Sequence, residues 1–141
     1  MQKRVKGIKK RLEKLRKMMS EKKLDALLVT KAENIYYLSQ FTGGSDARLF
    51  IDYEHQSVLT DARYLMQVQQ ECPGWDLVEE KPPGTEQLVL FCNKTKRLGF
   101  EGHNMTYQFY KMLDNSTDCE LISVENLIEA MISCLRSSFD F

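Results

Sequence analysis

Ligands for a structural metal are scarce in this sequence. It has two histidines, His55 and His103, and four cysteines, Cys72, Cys92, Cys119 and Cys134, with no CxxC pair among them. That spacing argues against a finger-type zinc site. The histidines fall in the turns DYEHQ and EGHN and read as solvated. Each cysteine lies within or beside an apolar run and reads as a buried free thiol, as expected of a protein kept in the reducing cytoplasm. No apolar run approaches the roughly 20 residues needed to span a bilayer. The opening MQKRVKGIKKR carries charge with no apolar stretch behind it, which argues against a secretory signal. FTGGS lacks both the Lys-Ser/Thr of a phosphate loop and the GxGxxG spacing, so it reads as a loop that needs positive φ. No serine sits in a GxSxG elbow, and no two carboxylates can be assigned as acid and base. Net charge is absent too, since 20 Lys and Arg balance 20 Asp and Glu.

What is present suits one globular domain: 141 residues, 43% hydrophobic and 28% charged. A chain of that length buries about two-thirds of its unfolded surface and needs no covalent staple. Its charge is unevenly spread. Residues 1–23 hold eleven Lys and Arg against Glu13 and Glu21, a net +9, so the remainder is −9. A basic arm can bind nucleic acid by neutralising phosphates. Val5, Ile8, Leu12, Leu15 and Met19, however, recur in steps of three and four, which gives the arm an apolar stripe to dock. A solvated helix face is therefore the simpler reading, and nucleic-acid binding stays an alternative.

Apolar periodicity divides the chain into alternating elements. A helix is expected over about Arg4–Lys23, a buried strand over Leu24–Thr30 and a short helix over Lys31–Gln40. After the FTGGSD loop, Ala47–Asp52 and Gln56–Thr60 read as a hairpin. A helix over Ala62–Glu71 follows, stopped by Pro73 and Gly74. Trp75–Glu80 reads as a strand, EQLVLFCN as a helix, and Arg97–Glu101 as a strand. Thr106 caps a helix running to Asp114, and Cys119–Val124 is the last strand. Glu125–Arg136 closes the chain, with Leu127, Ile128, Met131 and Leu135 at helical spacing. Strands alternating with helices imply an α/β domain with a largely parallel sheet, made mixed by the hairpin.

Arg63 stands out. Asp61 can cap the helix that follows it, but a cation in the first turn meets the positive end of the macrodipole. It either reaches water and a local carboxylate such as Asp61, or faces something functional beyond the end of the strand.

Three segments, RLEKLRKMMSEKKLDALLVTKAENIYYLSQFTG, LTDARYLMQVQQECPGW and RLGFEGHNMTY, together resemble the N-terminal domain of the creatinase/prolidase/aminopeptidase P family. The resemblance extends over about residues 4–136. It implies a three-layer α/β fold around a mixed, mostly parallel sheet, of ribonuclease H-like topology, spanning residues 1–141. In that family a larger domain of pita-bread fold follows. It holds two divalent metal ions, manganese or cobalt, on two Asp, one His and two Glu, and a metal-activated water attacks the peptide bond before proline. That domain is absent from these 141 residues. The resemblance thus implies a non-catalytic part of an Xaa-Pro aminopeptidase or dipeptidase, with the metals in the missing domain and this chain inactive alone.

The implied role is to support a homodimer and to cover the active-site mouth over a proline-containing peptide. Tyr36 and Phe41 resemble the family segment that reaches toward substrate, and Arg63 matches the arginine of the family's TD(G)RY motif. These three are the candidates for substrate-mouth or subunit contact. Against that, Tyr36 and Tyr37 also suit half-buried helix positions, and Arg63 also suits an ion pair with Asp61. Ala62 and Gln40 stand where the family often has glycine, which implies strain wherever the backbone needs positive φ. A stand-alone interaction module without peptidase chemistry is a further alternative.

Overall fold

Leu27 and Leu28 are both wholly buried, on opposite faces of one strand, and that alternation organises the domain. The computed structural model describes residues 2–82 and 84–139, with side chains over 5–82 and 84–133. The described residues form a six-stranded sheet: β1 (Ala26–Val29), β2 (Ala47–Ile51), β3 (Gln56–Thr60), β4 (Asp76–Glu79), β5 (Arg97–Glu101) and β6 (Glu120–Val124). Their order across the sheet is β4-β3-β2-β1-β5-β6. β2 runs antiparallel to β1 and β3, and the pairings β1–β5, β3–β4 and β5–β6 are parallel. Helices bridge the parallel pairs, as crossover connections require.

Helices α1 (Gln2–Glu21), α2 (Ala32–Ser39), α3 (Leu65–Glu71) and α6 (Leu127–Phe139) pack on the face carrying Leu27, Val29, Leu49, Ile51 and Val58. Helices α4 (Glu86–Cys92) and α5 (Tyr107–Ser116) cover the other face, against Leu28, Phe50, Leu59, Leu98 and Phe100. This is the expected three-layer arrangement. In the α1 stripe, Ile8, Leu12, Leu15 and Met19 are buried, but Val5 is exposed. Two arginines of the basic arm serve the fold. Arg11 Nη1 donates to the Tyr37 carbonyl at 2.6 Å, and Arg16 Nε donates to the Asp52 carbonyl at 2.7 Å. Cys72, Cys92 and Cys119 are buried, Cys92 and Cys119 as free thiols, and burial pushes the Cys92 thiol up to about 12. The Cys134 and Leu135 side chains lie outside the described residues.

Three local expectations change. The Ala62–Glu71 helix begins as a 3-10 turn over Ala62–Tyr64 and becomes α-helical only at Leu65. Neither Gly43 nor Gly44 has positive φ. Glycine is needed at position 43 for space, because a Cβ there would lie 2.8 Å from Phe41 Cζ and 3.1 Å from Tyr64 Cε1. The left-handed residue next to this loop is Gln40, at φ 67°, where it ends α2 and donates its N–H to the Tyr36 carbonyl at 2.7 Å. Ala62 has no positive φ, so only one of the two departures from glycine is strained.

Candidate functional site

β3 ends at Thr60, and the chain turns sharply through Asp61 into the 3-10 segment. Asp61 accepts from the Arg63 backbone N–H at 3.0 Å. The turn brings the Arg63 side chain back over its own cap. Its Nε donates to Asp61 Oδ1 at 2.9 Å and its Nη2 to Oδ2 at 2.8 Å. This two-point geometry is the strong form of an arginine–carboxylate contact. The Arg63 hydrogen bonds draw the Asp61 carboxyl down to about 2, and those same bonds push the Arg63 guanidinium above its ordinary value. The cation is thus accommodated by its own cap, not by the helix dipole.

Asp46, which ends a 3-10 turn over Gly44–Asp46 just before β2, joins this cluster. Its Oδ2 accepts from the Tyr64 hydroxyl at 2.6 Å, and its Oδ1 lies 4.0 Å from Arg63 Nη2. The hydrogen bond to Asp46, with desolvation, raises the Tyr64 phenol above its usual value. The Tyr64 ring meets Phe41 edge-on, with centroids 5.8 Å apart. Phe41 and Arg63 are therefore linked through Tyr64, but they face different surroundings. Arg63 has 69% of its side chain exposed, whereas Phe41 is 0% exposed and belongs to the core. In this domain Phe41 positions Tyr64 and offers no surface of its own. Tyr36 on α2 has half of its surface exposed, which suits a contact role and the half-buried helix position alike. Among the described residues it has no hydrogen bond or ring contact with Arg63 or Phe41.

A second cluster was not legible as a site. Glu101, the last residue of β5, is 3% exposed. Its Oε1 accepts from the backbone N–H groups of Thr30 and Lys31 at 2.7 and 2.9 Å, and its Oε2 from Asn34 Nδ2 at 2.5 Å. It thereby supplies the anionic cap that Lys31, at the N-terminus of α2, does not. Glu129 of α6 joins from the other side, accepting from Asn34 Nδ2 at 3.0 Å and lying 3.3 Å from Lys31 Nζ. His103 Nε2 also lies 3.3 Å from Glu129, so this histidine keeps the exposed turn position expected of it and borders the cluster. Burial pushes the Glu129 carboxyl upward, but hydrogen bonds from Asn34, a backbone N–H and Lys31 outweigh it and leave the value lowered.

Glu101, His103 and Glu129 bring ligand-type atoms within 4.8 Å of one another. They do not fit a resident divalent ion, because amide, backbone and ammonium hydrogens already occupy the carboxylates that would bind it. A glutamate closing an apolar strand was the only sequence signal for this cluster. The other expected turn histidine, His55, is exposed, with Nδ1 3.5 Å from Asp52.

The family model for the creatinase/prolidase N-terminal domain matches residues 11–131. This chain belongs to that family. Among curated proteins, an uncharacterized peptidase of Bacillus subtilis, YqhT, is 30% identical over 124 residues, which are 86% of this chain and 35% of that protein. An Xaa-Pro dipeptidase from Bacillus anthracis superposes with a TM-score of 0.82 at 25% identity, covering 88% of this chain and 35% of that one. The N-terminal domain of the cytoplasmic peptidase PepQ from Mycobacterium tuberculosis superposes with a TM-score of 0.77 at 26% identity, covering 85% of this chain and 96% of that one. This creatinase/prolidase-type domain therefore spans about a third of the length of the fuller relatives and nearly all of a solved N-terminal domain. Among the described residues no helix is long and apolar enough to cross a membrane.

Proposed function

We propose that this domain is the N-terminal, non-catalytic part of an Xaa-Pro metallopeptidase, where it supports a homodimer and covers the active-site mouth over a proline-containing peptide. The observation behind this reading is the exposed Arg63 guanidinium, held flat by Asp61 beside Tyr64 at the end of β3. An arginine fixed by a local carboxylate keeps its outer edge available at a small entropic cost. Tyr36 adds an exposed aromatic, a residue type suited to apolar contact with peptide or partner. The two divalent metals and the hydrolytic water belong to the separate peptidase domain. The buried free thiols are consistent with a cytoplasmic location.

The test uses the full-length protein, with the peptidase domain attached. Turnover of a short peptide with proline in its second position, and the mass of the assembly in solution, are compared for the parent, Arg63→Ala and Tyr36→Ala. A drop in kcat/KM of about tenfold or more, or dissociation of the dimer, is expected from at least one variant. Unchanged turnover with an unchanged assembly overturns the mouth assignment.

A further inference from the structure

A crevice of about 590 Å³ opens at the carboxyl ends of β1 and β3, between the start of β2, the loop after β4 and the start of α5. Its size suits a small ligand, and its place, beyond the carboxyl ends of parallel strands, is where open α/β sheets bind them. Arg48 of β2 lines it. Its neighbours Ala47 and Leu49 face the α1 side of the sheet, so alternation turns Arg48 toward α4 and α5.

The surroundings of Arg48 are unusual for a cation. Its guanidinium carbon lies 4.4 Å from the centroid of the Phe109 ring, and its Nη1 donates to the Gly84 carbonyl at 3.2 Å. Among the described residues no carboxylate comes within 4 Å of it. Glu80, the acid whose field reaches it, accepts instead from the α4 backbone N–H groups of Gln87 and Leu88, at 2.8 and 3.0 Å. Burial lowers the Arg48 pKa, and Glu80 only partly offsets that. Among the described residues this partly desolvated guanidinium has one protein acceptor, so N–H donors remain for a ligand in the crevice that Arg48 lines. Phe109 holds the fork flat, in the form that matches a carboxylate at two points.

The rim adds selectivity. Three carboxylates, Asp46, Asp61 and Glu80, line the same crevice. Asp61 is paired with Arg63, Glu80 with the α4 backbone and Asp46 with the Tyr64 hydroxyl. The negative charge that remains disfavours a dianion more than a singly charged group. We propose that this crevice binds a small monocarboxylate, the free carboxyl end of a peptide included, with Arg48 as its anchor.

The experiment is a ¹H–¹⁵N NMR titration of the full chain at constant ionic strength. The probes are acetate, N-acetyl-alanyl-alanine, the C-terminal amide of that peptide, and inorganic phosphate. Saturable shifts are expected at the Arg48 Nε–H and at the backbone amides of Thr60 and Phe109 with both carboxylates. The amide and phosphate are expected to bind about tenfold more weakly or worse. A peptide acid that binds about tenfold tighter than acetate assigns the site to peptide carboxyl ends, while equal affinities assign it to free small carboxylates. Arg48→Gln is expected to abolish the shifts, and Lys111→Gln, on the exposed side of α5, to preserve them. Amide or phosphate binding as tight as the acid overturns the proposal. So does the absence of any saturable shift in the millimolar range. If Arg48→Gln does not fold, the wild-type Arg48 Nε–H resonance decides: its silence while other resonances move also overturns it.

Discussion

Asn34 donates its side-chain amide to two carboxylates at once, Glu101 Oε2 at 2.5 Å and Glu129 Oε2 at 3.0 Å. One amide thus joins the end of β5 and the first turn of α6 to the start of α2. Without it, two partly buried carboxylates would face each other with a donor missing. Asn34→Ala is expected to lower stability by about 1–3 kcal/mol, the usual cost of unsatisfied buried polar groups. Urea unfolding reads this as a lower midpoint at an unchanged slope.

The Arg63 pairing predicts an acid titration. Asp61 has a folded value of about 2 against its ordinary 3.8. Because the folded value is the lower one, the pairing adds stability above the unfolded value. That increment is lost as pH falls from there toward the folded value. Carboxyl-carbon NMR is expected to place the Asp61 midpoint near about 2 in the parent. Arg63→Ala should return it toward the ordinary aspartate range, near about 3.9. A midpoint unmoved by the substitution would show that Asp61 owes its acidity to the backbone turn alone.

Phe41 and Arg63 should separate cleanly in stability. Phe41 is fully buried, so Phe41→Ala is expected to cost about 3–5 kcal/mol. Arg63 and Tyr36 are exposed, and each →Ala change should cost less than about 1 kcal/mol. Urea midpoints of the three variants decide this. A large loss for Arg63→Ala would make it a structural residue and remove it from the proposed mouth.

Gln40 carries the backbone strain that glycine would relieve. At φ 67° it occupies the left-handed region as a non-glycine residue, at a cost of roughly 1–2 kcal/mol. Gln40→Gly is expected to raise stability by up to about 1 kcal/mol, after the added freedom of the unfolded chain is subtracted. Ala62→Gly, at a position without positive φ, should be neutral or destabilising. Thermal melts of the two variants give the comparison.

Local patterns made most of the fold readable. The spacing of Ile8, Leu12, Leu15 and Met19 marked α1, and the apolar run around Leu27 and Leu28 marked a strand buried on both faces. The hairpin of β2 and β3 was readable from its short connection, but the insertion of β1 between β2 and β5 was not, because partner choice depends on packing across the sheet. The same limit hid Glu101, which meets Asn34 across 67 positions of chain, and Arg48, whose place against Phe109 and the Gly84 carbonyl exists only once α5 and the loop after β4 are in place. Phe41 was assigned to a surface because its loop resembled a substrate-reaching segment. Its ring instead packs against Tyr64, in the space left by Gly43.

The position of β1 also orders events during synthesis. β1, β2 and β3 emerge within the first 60 residues and can pair antiparallel at once, through Leu27 with Ile51 and Leu49 with Val58. The other edge of β1 must wait for β5, which pairs Leu27 with Gly99. Until then a nascent chain presents an open strand edge of bare amides and carbonyls, the kind of surface on which polypeptides stick to one another. A nascent chain held after β3 has emerged and before β5 has would stay in that state.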